Sequence, residues 1–339
     1  MKDGRPVWGK LKDIPELPGI YQMIDSKGNI IYIGKSKCLK KRVHSYFVES
    51  PKWEKAQKMA PFIYDIRYIV TDTHLEAMLL ECEMIKNRKP YFNTLMKNDE
   101  RYVYLILSDQ KKGKPLTVAY AREQISFGPF RSRSRLQEFI DSLINLYPFT
   151  ENRKKLQFEY HFFPEKLTQE EWAENQRLLK KLLTVPNVME EFLRLLEKKM
   201  KKAAREEKFE TALKYRDLIQ NTRYVQKNLC EYGEWMSQQL VYTEDTWKGK
   251  KYFFIHNGMV IHKSMVTNEG DDSEELFLKE FVRESQDLLN ALQAENQIKA
   301  VWLQQGEAGE KVRMDFQDIV YAELAKAMEK ENCRIYQIK

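Results

Sequence analysis

The chain has 339 residues, with 57 lysines and arginines against 50 aspartates and glutamates and a net charge of +7. That favours a polyanionic partner without demanding one, and a chain of this length exceeds one ordinary core, so two or three folding units are expected. Cys38, Cys82, Cys230 and Cys333 form no CxxC pair, which argues against a zinc cluster or a disulfide framework and fits a reducing cytoplasm; the opening MKDGRPVWGK lacks the apolar core of a signal peptide, and no later run reaches the roughly 18 apolar residues that span a bilayer, so no membrane association is expected.

The run GIYQMI at 19–24 alternates strand-forming side chains, DSKGN supplies turn residues, and IIYI follows at 30–33, a pattern that predicts a β-hairpin. Beyond Gly34 the period becomes helical, with Ser36 as a cap and Leu39, Val43, Tyr46 and Phe47 at helical spacing. A third strand is predicted over 62–71, with Phe62, Tyr64, Ile66, Tyr68 and Val70 on one face. The capping-box sequence Thr73-His-Leu-Glu76 then opens a helix whose apolar stripe is Leu75, Met78, Leu79 and Cys82, and Pro90 marks its end. Residues 1–100 therefore read as a small antiparallel sheet flanked by helices.

Residues 101–165 read as a β-containing connector, with strands over 102–107 and 116–120, an FGPF turn at 127–130 and a helix over 136–146. A helical segment over 166–230 follows, broken near Val185-Pro186 and Glu207-Lys208. The last stretch, 231–339, shows a hairpin over 252–261 around His256-Asn-Gly258 and a helix over 273–292, and is expected to form a separate small unit without an assigned role. The fold class is α+β throughout.

Several polar residues of the first domain gather by position. Tyr21 and Tyr32 lie on adjacent hairpin strands, where cross-strand neighbours meet. Lys35 follows the second strand, Arg42 and Tyr46 are four apart on one helix face, Glu81 is mid-helix, and Asn93 follows the break at Lys89-Pro90. Singly, each has an ordinary explanation: strand tyrosines pack, Arg42 in LKKRVHSYF is solvated, and a mid-helix glutamate faces water. As an ordered set they resemble the GIY-YIG nucleases, and PGIYQMIDSKGNIIYIGKSKCLKKRVHSYF with LEAMLLECEMIKNRKPYFNTLMK resembles the UvrC branch.

The resemblance implies a metal-dependent DNA endonuclease whose active-site positions are Tyr21, Tyr32, Lys35, Arg42, Tyr46, Glu81 and Asn93. A single carboxylate, Glu81, suits one Mg²⁺ or Mn²⁺, because Mg²⁺ keeps several waters and takes one or two protein carboxylates. Tyr32 is assigned as general base with Tyr21 assisting, although a phenol of pKa about 10 needs adjacent positive charge, a bias that Lys35 and metal-bound water are expected to supply. Arg42 and Tyr46 are phosphate ligands, and Asn93 orients the Glu81 region. His44 and His74 are left out of the set. Lys37, Lys40 and Lys41 beside this site, and the run Arg131, Arg133 and Arg135, are candidates for contacting the DNA backbone.

Between 190 and 222 the sequence resembles the UVR motif through Met200, Ala204, Phe209, Ala212 and Arg216, which implies docking on UvrB. Where UvrC proteins carry a cysteine cluster this chain has YPFTENRKKLQFEYHFF, so neither an iron–sulfur cluster nor zinc is expected there. Phe92 replaces a usual tyrosine, the following loop is altered to KNDERYVY, and neither an RNase H-like acidic site nor a helix-hairpin-helix tail is evident. The expectation is a short, Cho-like homologue with material for one incision, on the 3′ side of a lesion. Two alternatives stand beside it: a non-catalytic adaptor that holds DNA and UvrB, and a GIY-YIG endonuclease of a mobile element, which would normally bring a sequence-reading module.

Overall fold

In the computed structural model, residues 4–48, 53–108, 115–231, 235, 237–267, 271–294, 307–327 and 333–338 are described. They fall into two compact units, Met1–Asp99 together with Ser237–Lys339, and Glu100–Met236.

The first unit begins with a short helix α1 (Val7–Lys10) and the hairpin β1 (Gly19–Ile24) and β2 (Ile30–Ser36). Helices α2 (Leu39–His44) and α3 (Glu54–Met59), strand β3 (Asp65–Val70) and helix α4 (His74–Arg88) follow. The antiparallel order is β2-β1-β3, so β1 is central and every residue of it is buried. The hairpin turn is held by Asp25, whose Oδ1 accepts from the backbone N–H groups of Lys27 and Asn29. Tyr21, Met23, Leu39, Val43, Tyr46 and Ile66 make the core beneath this sheet with Val7 and Leu11.

Two local expectations need correcting, and one holds. Ser36 does not cap α2; its hydroxyl donates to the Cys38 carbonyl and accepts from the Cys38 N–H, while Cys38 holds the cap position without a side-chain bond. Strand β3 starts at Asp65, and Phe62 and Tyr64 precede it and stay exposed, because the chain at 60–62 is still turning as a 3₁₀ helix. Helix α4 does carry its capping box, and it stops at Lys89 in the left-handed region, immediately before Pro90.

The second unit contains a sheet of β4 (Val103–Leu107), β5 (Leu116–Ala119) and β6 (Ser126–Phe130) in the order β5-β4-β6. The FGPF segment, expected as a turn, is the edge strand β6, with a cis bond between Gly128 and Pro129. Helix α5 (Arg133–Ile144), capped by Ser132, the small hairpin β7 (Thr150–Asn152) and β8 (Lys155–Gln157), and helices α6 (Gln169–Thr184), α7 (Pro186–Arg205) and α8 (Phe209–Gln226) complete it. Leu105, Phe130 and Phe139 from its first half share one core with Leu179, Phe192 and Leu218 from its second. Residues 101–165 and 166–230, read from sequence as a connector and a helical piece, are thus one packed body.

The chain returns to the first unit with β9 (Gln239–Thr246), β10 (Gly249–His256), β11 (Met259–Val266), α9 (Asp271–Ala294), α10 (Glu307–Ala327) and β12 (Cys333–Ile338). The sheet order is β11-β10-β9-β12, with Val241, Tyr242, Phe253, Phe254 and Ile255 buried in its middle strands. Helix α10 packs on α4, so residues 237–339 join the first domain where the sequence suggested a separate unit. The reason is legible only in three dimensions. Lys248, Lys251 and Lys263, which look solvated along the sequence, pair with Asp72 and Glu76 at the start of α4. Among the described residues, no helix is long and apolar enough to cross a membrane.

Candidate active site

Three tyrosines meet on one face of the β1–β2 hairpin. Tyr21 pairs across the ladder with Gly34, and Met23 with Tyr32, which leaves the Tyr21 and Tyr32 rings 6.1 Å apart. Tyr46, in the turn after α2, stands 5.8 Å from the first ring and 6.4 Å from the second. The Tyr21 and Tyr46 hydroxyls are 2.8 Å apart, and the Arg42 Nε donates to the Tyr21 oxygen at 3.2 Å. The Arg42 guanidinium lies over Tyr46 at 5.3 Å and over Trp53 at 4.1 Å. Gly34 makes this approach possible: a Cβ there would sit 2.4 Å from the Tyr21 hydroxyl oxygen and 2.9 Å from Cε1 of Tyr32.

Glu81 reaches β2 from α4. Its Oε1 accepts the Lys35 backbone N–H at 3.1 Å and its Oε2 accepts from the Lys35 Nζ at 3.0 Å. Asn93 is buried and bonded twice to Ile33, accepting from its N–H and donating to its carbonyl, both at 2.9 Å. It therefore orients β2 between Tyr32 and Gly34; the expected role at Glu81 gives way to a strap on the strand that carries the tyrosine.

Electrostatics set the resting protonation. Burial raises the Tyr21 pKa well above the ordinary phenol value, with neighbouring Tyr46 and Tyr32 adding and Arg42 opposing. Tyr32 is raised as well, first by burial and then by Tyr46 and Glu81. The Lys35 ammonium, expected to lower it, is paired with Glu81. Both tyrosines are neutral phenols at rest. His74, outside the set, has its pKa lowered to about 4, by burial first, with Glu323 opposing and Lys37 and Lys35 adding, so it is neutral at physiological pH. His44 contacts the Lys40 carbonyl through Nδ1.

A divalent cation fits the donor set at Glu81. The carboxylate already holds one cation, the Lys35 ammonium, and a hard ion that keeps most of its water needs only such an oxygen, with room for phosphate oxygens. Among the described residues no group of three or more His, Cys, Asp or Glu side chains gathers to hold a metal ion. A one-carboxylate centre asks for no such cluster.

Two further site residues escaped the sequence reading. Trp53, 43% exposed, covers Arg42, and Lys55 places its Nζ 4.9 Å from the Tyr32 ring centroid. Both lie on or just before α3, whose short apolar pattern gave no sign that it faces the hairpin. Of the basic candidates near the site, Lys37 and Lys41 are exposed, while Lys40 pairs with Glu16 at 3.4 Å. In the second unit, Arg131, Arg133 and Arg135 are exposed and lie over the rings of Tyr102, Tyr120 and Tyr224 respectively. On the α7–α8 hairpin, Phe192, Leu196 and Ala203 are buried, and Met200 packs against the same core. Ala204, Phe209 and Arg216 are exposed, Ala212 is half-buried, and Phe209 shows 68% of its surface.

A family model described as a UvrC-like GIY-YIG domain matches residues 17–94, and one described as the UvrB/uvrC motif matches residues 190–224. UvrABC system protein C of Alkaliphilus oremlandii is 31% identical over 303 residues, which covers 80% of this chain and 48% of that protein. The protein of the same name from Desulfitobacterium hafniense is 30% identical over 292 residues, 81% of this chain and 48% of its own length. The chain thus spans about half the length of the curated relatives it matches. Among solved structures, the GIY-YIG N-terminal endonuclease domain of UvrC from Thermotoga maritima, described as bound to magnesium, its catalytic divalent cation, is 34% identical, covers 28% of this chain and 100% of that one, with a TM-score of 0.25.

Proposed function

The first domain of this chain belongs to the UvrC-like GIY-YIG family and its second unit carries a UvrB/uvrC motif; from that premise we propose that the protein is a DNA endonuclease of nucleotide excision repair, making a single incision on the 3′ side of a lesion together with UvrB. The observation that carries the reading is the convergence on one hairpin of a cation-holding carboxylate, a guanidinium and three phenol rings. Phosphodiester hydrolysis needs a deprotonated water, neutralised charge on the phosphorane-like transition state and a stabilised leaving 3′ oxygen.

Arg42 supplies charge-assisted hydrogen bonds to phosphate oxygens, and the ring of Trp53 beneath it fixes the plane of the guanidinium. The Tyr46 hydroxyl, already 2.8 Å from that of Tyr21, can turn its proton to the same phosphate. Tyr32, half-buried where Tyr21 is wholly buried, is the phenol that solvent can reach, so it is the base: it first gives its own proton to solvent and then, as the phenolate, takes one from the attacking water. Glu81, whose carboxylate holds the Lys35 ammonium in this structure, is the cation ligand, and a Mg²⁺ or Mn²⁺ ion held by it would lower the pKa of bound water and neutralise phosphate charge. Asn93 holds the strand in place. Lys37, Lys40 and Lys41 extend the positive surface towards the DNA backbone, and Arg131, Arg133 and Arg135 offer a second such surface in the second unit.

Docking on UvrB is supported by the exposed tip of the α7–α8 hairpin, where Phe209 and Leu213 are 68% and 43% exposed beside Ala204 and Arg216. The test is to map incision on a duplex with one defined lesion, with Mg²⁺ or Mn²⁺, in the presence and absence of UvrB. The expected result is a single cut on the 3′ side that Glu81→Ala and Arg42→Ala abolish. Equal products from all three proteins would remove the enzyme reading and leave the chain as an adaptor. A cut at one sequence regardless of damage would remove the repair reading.

A further inference from the structure

Residues 237–339 have no role in the reading above, yet they grip the helix that carries Glu81. At its start, the Glu76 carboxylate is shared. Its Oε2 closes the capping box by accepting the backbone N–H groups of Asp72 and Thr73 at 3.1 and 3.2 Å. Its Oε1 accepts from Lys263 of β11 at 2.6 Å and lies 3.3 Å from the Nζ of Lys251 of β10. Lys251 donates in turn to Asp72 at 2.8 Å, with only 9% of its side chain exposed. Near the end of α4, Lys86, also 9% exposed, bridges Asp99 and Asp315 of α10, the latter at 2.7 Å and 8% exposed. Helix α10 packs along α4 between these points.

The placement matters more than the number of pairs. Glu81 lies five residues from both Glu76 and Lys86, so at about 100° per residue each anchor sits about 140° around the helix from it. Both therefore lie on the back of α4 while Glu81 faces β2. The anchors are about 15 Å apart along the axis at 1.5 Å per residue, so together they resist both rotation and sliding. Buried charge pairs contribute little net stability, but they penalise any register in which a charge loses its partner. An error of about 1 Å in a reacting group can cost a hundredfold in rate, and a few degrees of rotation of α4 would produce a comparable fraction of that at the Glu81 carboxylate.

The geometry points to residues 237–339 as a positioning module for the cation-holding carboxylate: Lys251 and Asp315 act through α4 to set Glu81 against Lys35. This rests on the proposed function for its purpose, but not for its test. Hydrogen exchange of the metal-free full chain, and calorimetric titration with Mn²⁺, are compared for the wild type, Lys251→Met, Lys251→Arg and Asp315→Asn. The expected result for Lys251→Met and Asp315→Asn is exchange faster by about tenfold in α4 and at the Lys35 amide that Glu81 holds, with the other β1–β2 amides unchanged. Mn²⁺ affinity should fall by about tenfold, the low end of losses seen when partners behind a metal ligand are removed. Lys251→Arg, which keeps the charge, should restore both.

Unchanged exchange in α4 together with unchanged Mn²⁺ affinity overturns the inference. A loss of protection spread evenly over the whole unit in both Lys251→Met and Asp315→Asn also overturns it, since the pairs would then serve folding alone. If the wild type cut no DNA under any condition, the nuclease reading would fail while these two measurements still decided whether the module positions Glu81.

Discussion

Gly34→Ala pits two physical effects of opposite sign against each other. A glycine inside a strand loses more backbone entropy than alanine, so the substitution alone should stabilise by about 0.5–1 kcal/mol. The structure predicts the reverse. The added Cβ would lie 2.4 Å from the hydroxyl oxygen and 2.5 Å from Cζ of Tyr21, whereas carbon contacts are comfortable near 3.5–4.0 Å, so the ring must retreat by about 1 Å. Tyr21 is 0% exposed and packed in the core, with nowhere to go without moving its neighbours. Overpacking of this kind costs about 1–3 kcal/mol. Retreat also breaks the 2.8 Å contact with Tyr46 and the 3.2 Å bond from Arg42, worth about 1 kcal/mol for the neutral bond and about 1.5–3 for the charged one. Even if neighbours absorb half of this, the net sign after the entropy gain is destabilising, by about 1–3 kcal/mol. Cutting should fall by about a hundredfold, since the misplaced groups are those that face the phosphate. Urea denaturation and single-turnover cleavage of a lesion duplex measure the two. Gly9→Ala, where a Cβ would meet nothing within 4 Å, is the control and should be neutral or stabilising. A Gly34→Ala protein as stable as the wild type, or one cutting within threefold of it, would refute the packing argument.

Asn93→Ala should destabilise by about 2–5 kcal/mol in urea, because it orphans both the N–H and the carbonyl of Ile33; a loss below about 0.5 kcal/mol would mean water replaces the amide. With Tyr32 as base and its pKa raised by burial, the phenolate fraction grows with each step up in pH, so log rate should climb with a slope of about one from pH 7 to 9 without a plateau. Tyr32→Phe should flatten that slope, and an unchanged slope would move the proton to another acceptor. Phe209→Ala should leave the urea midpoint within about 0.5 kcal/mol of wild type, since the side chain is 68% exposed, while pull-down on UvrB falls at least tenfold; undiminished capture would place the docking surface elsewhere.

The sequence made the tyrosine-bearing face readable because its residues are fixed by short-range geometry. A hairpin register puts Tyr21 and Tyr32 near each other, and a capping box fixes where α4 begins, and hence which way Glu81 points; Arg42 and Tyr46, expected on one helix face, meet although α2 ends at His44 and Tyr46 lies in the turn beyond it. What stayed hidden depends on contacts between distant segments. Trp53 and Lys55 sit on a helix of six residues, too short for a periodic pattern to say which face looks at the hairpin. Strand β12 and helix α10 return to the first unit after a long excursion through the second, and no local signal announces such a return.

Charge was the most misleading signal, and for a consistent reason. Lys251 reads as the second lysine of a surface-like GKKY, yet it is 9% exposed because Asp72 and Glu76, more than 170 positions earlier, meet it. Lys35 reads as a positive neighbour that should draw the proton from Tyr32, yet Glu81 holds its ammonium, and burial, with Tyr46 and Glu81 adding, keeps the proton on the tyrosine. In both cases the sequence displays the charge and hides the partner that determines what the charge does. The same logic ties the two ends of the first unit together. The Lys35 and Lys251 ammoniums end on carboxylates of α4, and Lys86 of α4 reaches out to Asp315 of α10, so the position of Glu81 is set jointly by the hairpin in front of α4 and the sheet and helix behind it. A change on either side should therefore be felt at the carboxylate, even where it touches neither the tyrosines nor Arg42.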